Sequence, residues 1–460
     1  MAKRVMAQWN WFQFFWAVLV IVVLPNSIIS IFSLSYGLER PYVNVDYAIV
    51  MLIFILNRRV LGVVALVLAF FFDILALVGQ IFPVLRFSDL PYMSKFIGVA
   101  PFGYKVSLVF LFFILIVFVY LFLFKHERRS NLEFLLCVNI IIIIYGIISV
   151  FGSEKAAQVW SSEKRSVVSS QVVFGIESRR TGFTDSMNVD GEIFGEHHLV
   201  GASNPWIDDL SGLDEKVLLI INESWGVSSP EVHSAILAPL SEKSDLITDW
   251  REGVIEFSGI TIGGEIRELC QADLLHFNFE GHEKELSSCL PNRLKRLGYK
   301  TASFHGAAGL MYDRAKWYPQ VGFDKTTFLE SYSWPKRCYS FPGACDSDMA
   351  EHISEFYSAE GSLFGYWLTL NTHHKYDLRD LEVDGFSCEN IGVDADGIVC
   401  RNLKLQHQFF SILAGIVSDP NMKDVRVLVV ADHEPRIFDK SEMEKYFEKG
   451  LIPWLSFKIK

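Results

Sequence analysis

Nearly all the long apolar runs of this 460-residue chain lie within residues 1–152. A helix needs about 20 predominantly apolar residues to cross the hydrocarbon core of a bilayer. Residues 11–34, 42–57, 60–82, 106–124 and 132–151 meet that requirement, the second only marginally, and predict five transmembrane helices. The first run lacks a small-residue cleavage site and further runs follow it, so it reads as a retained span rather than a signal peptide. Lys3 and Arg4 precede the first run, and Arg58 and Arg59 separate the second and third. The cluster Lys125, His126, Glu127, Arg128 and Arg129 separates the fourth and fifth. Basic residues stay cytoplasmic, and five crossings from an inside N-terminus place everything after residue 152 outside. Asp73 falls within the third run. A carboxylate at membrane depth is either functional or paired locally. The mixed stretch 83–105, with three prolines, is expected at the outer surface near the acyl part of a lipid.

The pattern then changes twice. Residues 153–215 are polar and rich in Ser and Glu, and read as a linker at the membrane surface. From residue 216 to 460, short β-branched runs alternate with helix-like stretches. The runs are 217–221, 301–304, 365–370 and 425–430; the helical stretches include 290–297 and 402–418. Runs apolar on both faces are typical of buried parallel strands. The alternation predicts an α/β domain with a mostly parallel central sheet, whose ligands bind beyond the carboxyl ends of the strands.

Charge follows the same division. Residues 1–152 hold 11 Lys and Arg against 6 Asp and Glu, a net of +5; the remainder holds 31 against 47, a net of −16. No basic groove is visible to neutralise nucleic-acid phosphates, so nucleic acid is not an expected partner. Cys137 lies in the fifth run. The other six cysteines, Cys270, Cys289, Cys338, Cys345, Cys388 and Cys400, follow residue 152. An even set beyond the membrane fits disulfides in an oxidising compartment. Neighbour pairing closes the shortest loops and predicts Cys270–Cys289, Cys338–Cys345 and Cys388–Cys400.

Each β-branched run ends in chemistry. Asn222, Glu223 and Ser224 follow the first, and His305 and Gly306 the second. Asn371, Thr372, His373 and His374 follow the third, and Asp432, His433 and Glu434 the fourth. Carboxylate and imidazole at neighbouring strand ends suit a zinc or manganese site.

In their order, these segments resemble the alkaline-phosphatase/sulfatase superfamily. They are most similar to its membrane-bound lipid-headgroup transferases: lipoteichoic-acid synthase, phosphoglycerol transferase and phosphoethanolamine transferase. The likeness covers roughly residues 215–457 and extends to the five-span anchor. LLIINESW at 218–225 resembles the first metal strand, with Glu223 as ligand. GITIGGE at 259–265 resembles the nucleophile segment, with Thr261 as nucleophile and metal contact. FHG at 304–306, YDR at 312–314 and GFD at 322–324 resemble the headgroup segment, with His305, Tyr312 and Arg314 as substrate contacts. Tyr312 stands where lipoteichoic-acid synthases have Trp, which leaves the headgroup open. LTLNTHH at 368–374 resembles the segment of a phosphate-facing histidine, best matched by His373. VVADH at 429–433 resembles the final metal pair, Asp432 and His433.

The resemblance implies a divalent metal, Zn2+ or Mn2+, and transfer through a phospho-threonine. The implied donor is a membrane phospholipid and the acceptor an envelope glycan or glycolipid. The implied location is a bacterial inner membrane, with the catalytic domain on the periplasmic or extracellular side. A metal on the threonine oxygen makes a weak nucleophile competent, and positioning supplies the rest of the catalysis. Arg314 would anchor a phosphate oxygen through its planar fork. His373 would protonate the leaving group and then activate the acceptor. Phosphoethanolamine and phosphoglycerol both stay open: the six cysteines favour the first, and the ESW segment with the His305/Arg314 spacing the second. Other readings are a phosphodiesterase that transfers to water, a sulfatase, or a scaffold with a dead fold. Ser333-Trp334-Pro335-Lys336-Arg337 fits a sulfatase C/S-x-P-x-R signature, but it follows His305 instead of preceding it. Thr261 with Glu265 also fits an ordinary helix N-cap.

Overall fold

The computed structural model describes residues 11–460 except 20–22, 36–37, 39, 82–89, 99, 101, 125–130, 152–166, 174–186, 188, 196–198, 383–384 and 438. The basic clusters at 3–4 and 125–129, much of the 83–105 stretch and much of the 153–215 linker lie outside the described residues. The chain divides into two compact units, Met1–Thr184 and Asp185–Lys460.

Among the described residues of the first unit, two helical stretches are long and apolar enough to cross a membrane, Arg59–Val78 and Phe102–Tyr120. The other apolar helices among the described residues, Leu24–Leu34, Asp46–Ile55 and Glu133–Ile148, are shorter, so two of the five expected spans meet the length criterion here. The 42–57 run is interrupted at both ends. Val43–Asn44 pairs in parallel with Val168–Ser169, and Asn57 turns left-handed at φ 59°. Asp46 then accepts from Ser170 Oγ at 2.5 Å, Gln171 N at 2.9 Å and Val172 N at 3.0 Å. Asp73 takes the local-pairing alternative. Arg40 donates to it through Nε at 2.9 Å and Nη2 at 2.6 Å, and Tyr47 Oη at 3.0 Å. All three are buried, so the guanidinium fork satisfies a charge that is costly to leave alone.

The second unit is built on a seven-stranded sheet. In chain order the strands are β1 (Lys216–Asn222), β2 (Ile247–Glu256), β3 (Lys300–His305), β4 (Lys325–Thr327), β5 (Leu363–Leu368), β6 (Arg426–Ala431) and β7 (Leu451–Ile459). Their order across the sheet is β2-β7-β6-β1-β5-β3-β4. The block from β6 to β4 is parallel, but β7 runs antiparallel to β6, and β2 to β7. The sheet is therefore mixed, which corrects the mostly parallel expectation. The runs read from sequence missed β2, β4 and β7; of these, β2 and β7 carry alternating or largely polar sequences, because one face of this edge ribbon meets water. The central strand β1 is the opposite: Val217, Leu218, Leu219, Ile220 and Ile221 are fully buried.

Three helices matter for the site: α1 (Pro230–Ser241), α2 (Thr261–Cys270) and α3 (Ile398–Val417). Helices α1 and α3 pack together, and Trp225 at the end of β1 meets Phe410 of α3 edge-on at 5.1 Å. The disulfides are Cys270–Cys289, Cys338–Cys345 and Cys388–Cys400, as neighbour pairing predicts, and Cys137 is a buried free thiol.

Candidate active site

Strands β6, β1, β5 and β3 lie side by side and parallel, so their carboxyl ends emerge at one edge of the sheet. Glu223 follows β1, and Asp432 and His433 follow β6. Ligand atoms of these three residues all lie within 4.8 Å of one another, and all three side chains are buried.

Backbone geometry orients them. Ser224 adopts φ 55°, which turns its N–H towards Asp432. Asp432 Oδ1 accepts from Ser224 N at 2.8 Å and from its neighbour His433 N at 2.7 Å. Its other oxygen, Oδ2, is buried with no hydrogen-bond partner among the described residues and lies 3.2 Å from His433 Nε2. Glu223 Oε1 accepts from Ser224 Oγ at 2.8 Å. Burial first, and then the charge of Asp432, push the Glu223 carboxyl well above the usual carboxylate range. His433 is held neutral mainly by burial. Its Nδ1 pairs with the Glu434 carbonyl at 2.7 Å, so the ring proton sits there and the Nε2 lone pair faces the carboxylates. Two crowded carboxylates, an orphaned buried oxygen and a neutral imidazole fit a divalent cation. Glu223, Asp432 and His433 would hold it.

Thr261 opens α2, half-buried, with Oγ1 3.3 Å from Glu223 Oε2. The N-cap position belongs to Ile260, and Glu265 is engaged elsewhere, so this is not the Thr–Glu capping arrangement. A helix N-terminus directed at the cluster favours an anion beside the hydroxyl. Close approach of α2 depends on Gly264, where a Cβ would lie 2.7 Å from the Asp432 carbonyl oxygen.

His305, at the end of β3, is buried, and its Nδ1 bonds the Leu368 carbonyl at 3.0 Å. Burial, then Arg314, hold it well below the usual imidazole range. His373 is also kept neutral, lowered to about 4 mainly by burial, with the charge of Arg436 acting in the same direction. Its Nδ1 pairs with the His374 carbonyl, and its ring meets Phe341 edge-on at 4.9 Å. Tyr312 takes φ 55°, and its hydroxyl, pushed up to about 12 chiefly by burial, senses Glu223. Arg314 is placed differently from a free anchor. Its Nε and Nη2 grip Glu265 at 3.0 and 2.6 Å, and Tyr318 and Tyr366 donate to the same carboxylate. Its Nη1 donates to Met311 O at 3.4 Å, so all three of its nitrogens are engaged, and its guanidinium lies 4.8 Å over the Tyr312 ring. Ser333 is exposed and joins no part of the cluster among the described residues.

Sequence reading missed the supports. Gln406 Nε2 donates to the carbonyls of Glu223 and Ser224, both at 2.9 Å, and Asn402 Nδ2 to Ser224 O at 3.0 Å. These residues lie four apart on α3, a polar pair within its buried stripe, and that spacing was a usable signal. Arg267 donates from Nη2 to Ala431 O at 2.7 Å and from Nη1 to Asp432 O at 3.2 Å, while Glu268 takes its Nε at 2.6 Å. Nothing local marks that role.

The Sulfatase family model matches residues 217–448, slightly more than half of the chain. The chain belongs to the sulfatase family. Within this sulfatase domain, every residue of the strand-end cluster lies inside the matched span. Among curated proteins, none matches the chain in sequence. Its fold is similar to the lipoteichoic acid synthase LtaP from Listeria monocytogenes. That likeness has 15% identity over 59% of this chain and 70% of that one, with a TM-score of 0.42. It is also similar to the zinc complex of the C-terminal periplasmic domain of EcEptC from Escherichia coli, at 15% identity over 55% and 75%, TM-score 0.39. A third is the Streptococcus pyogenes phosphoglycerol transferase GacH in complex with sn-glycerol-1-phosphate, at 16% identity over 53% and 68%, TM-score 0.36.

Proposed function

We propose that this chain is a metal-dependent phosphotransferase that moves a phosphorylated headgroup from a membrane phospholipid to an envelope glycan or glycolipid through phospho-Thr261. The observation that carries this reading is the Thr261 hydroxyl at a helix N-terminus, 3.3 Å from a carboxylate of the buried Glu223, Asp432 and His433 set. A bound divalent cation supplies charge neutralisation at the phosphoryl oxygens and a lower pKa for the hydroxyl. In the first half-reaction Thr261 Oγ bonds to the donor phosphorus, the hydroxyl proton is lost, and the lipid oxygen leaves and takes up a proton. In the second, the acceptor hydroxyl oxygen attacks the phosphorus and gives its proton to His373, and the Thr261 P–O bond breaks as Thr261 Oγ takes a proton back. His373 is neutral before substrate arrives. That form suits accepting the acceptor's proton; donating to the lipid oxygen requires the ring to bind a proton first. His305 and Tyr312 line the headgroup side, and Arg314 braces them through Glu265 and its stacking on Tyr312.

Mass spectrometry of envelope glycans and glycolipids, with and without the full-length protein, is expected to show one added headgroup mass that depends on Thr261. Loss of lipid headgroups with no glycan gain points instead to hydrolysis.

The five-crossing anchor, with residues 216–460 outside the membrane, is part of the same proposal. Reporter fusions after residues 58 and 128 are expected to read cytoplasm, and fusions after residue 160 exterior. A cytoplasmic reading after 160 sinks that topology.

A further inference from the structure

The turn after β6 carries a cation that the metal set does not use. Arg436 lies three residues beyond His433, and its backbone N–H donates to Tyr376 Oη at 2.8 Å. Tyr376 is buried at φ 55°, in the loop that carries His373, so this bond stitches the two strand-end loops together. The preceding Pro435 packs on Gly226, where a Cβ would come within 2.6 Å of its ring. The adjacent carboxylate is committed elsewhere: Glu434 Oε2 accepts from Gly450 N at 2.7 Å.

The Arg436 backbone is thus pinned, while its half-buried guanidinium makes no hydrogen bond or ion pair among the described residues. Its charge acts on Glu223, Tyr312, His373, His374, Tyr376 and His433. Three residues beyond His433 and tied by its backbone to the loop of His373, Arg436 stands where these two strand-end loops meet. The other guanidiniums nearby are engaged: Arg314 by Glu265, and Arg267 by Glu268 and two carbonyls. The imidazoles of His305, His373 and His374 are held neutral by burial. Arg436 is therefore the uncommitted full positive charge among these groups.

We propose that Arg436 is the substrate-binding residue that holds a non-bridging phosphate oxygen beside Thr261, the task that sequence assigns to Arg314. A planar guanidinium pairs with phosphate through two parallel N–H bonds, and a partly dehydrated, unpartnered one gains most from doing so. The proposal rests on the phosphotransferase reading only in naming a lipid phosphate as the natural ligand.

The test is phosphate affinity, measured on the full-length, metal-loaded protein in detergent by titration with inorganic phosphate. Arg436→Ala is expected to weaken phosphate binding about 10- to 100-fold, the loss of one charged hydrogen-bonding partner. Arg436→Lys is expected to fall between, since it keeps the charge and loses the fork. Metal content is expected to equal wild type in both, which a merely structural role would not predict. Should the alanine variant fail to fold, Arg436→Gln offers similar length and polarity without the charge. Unchanged phosphate affinity in a folded variant overturns the proposal, as does loss of metal together with phosphate. Wild type that binds phosphate through Arg436 yet adds no headgroup to any glycan overturns the transferase reading and leaves this one standing.

Discussion

Thr261→Ala is expected to reduce headgroup transfer by about 1,000-fold or more while the protein stays folded and loaded with metal. Removing a nucleophile that splits one reaction into two abolishes the covalent route, and losses of that order are typical. The substitution removes a hydroxyl whose contact with Glu223 is 3.3 Å long, and alanine is well tolerated in the first turn of a helix. Little of the fold depends on it. A complementary result is expected from wild type given a phospholipid donor without acceptor. The peptide containing Thr261 gains a phosphate-bearing mass, and the alanine variant does not. Full transferase activity in Thr261→Ala would falsify the assignment, and Ser224 or Ser333 would be tested next.

The second large effect concerns Asp432. Its Oδ1 holds two backbone N–H groups, Ser224 N and His433 N, while Oδ2 faces Glu223 and His433. Asp432→Ala removes both functions. Each orphaned buried N–H costs about 1–3 kcal/mol, and the metal affinity is lost as well. Asp432→Asn separates the two functions. Its carbonyl oxygen still accepts from Ser224 and His433, but the charge that crowds Glu223 is gone. Metal analysis is expected to find wild type loaded and both variants empty. Chelation is expected to lower the Tm of wild type, since a bound metal stabilises by mass action, and to leave that of Asp432→Asn unchanged. A fully metal-loaded Asp432→Ala with wild-type activity rules out this ligand set.

How much of the site was legible follows from how local each role is. Glu223, His373, Asp432 and His433 each stand directly after an apolar run, and a parallel sheet delivers strand ends to one edge whatever its loops do. The three disulfides were legible for a similar reason, since each closes a short loop within one segment. Arg314 and Arg436 were not separable in that way. Both are arginines near polar motifs, and which one is free depends on where Glu265 points. Tyr318 and Tyr366, from a helix and from β5, hold that carboxylate on Arg314. The helix of the 42–57 run is shortened for a reason equally remote in sequence: Val43–Asn44 is drawn into a pairing with residues more than a hundred positions away.

By itself, the amino-acid sequence determined the division into an apolar first third and an α/β domain, the central parallel strands, and the identity of the residues that meet at their ends. Periodicity and apolar runs act over a few residues, so they can be read without the fold. Only the tertiary structure decided the antiparallel edge of β7 and β2. It also decided the local pairing of Asp73 with Arg40 and the clamping of the metal turn by Gln406, Asn402 and Arg267. These depend on which buried polar group finds which partner across the packed core. Leaving such a group unpaired costs free energy that only a complete three-dimensional arrangement can remove.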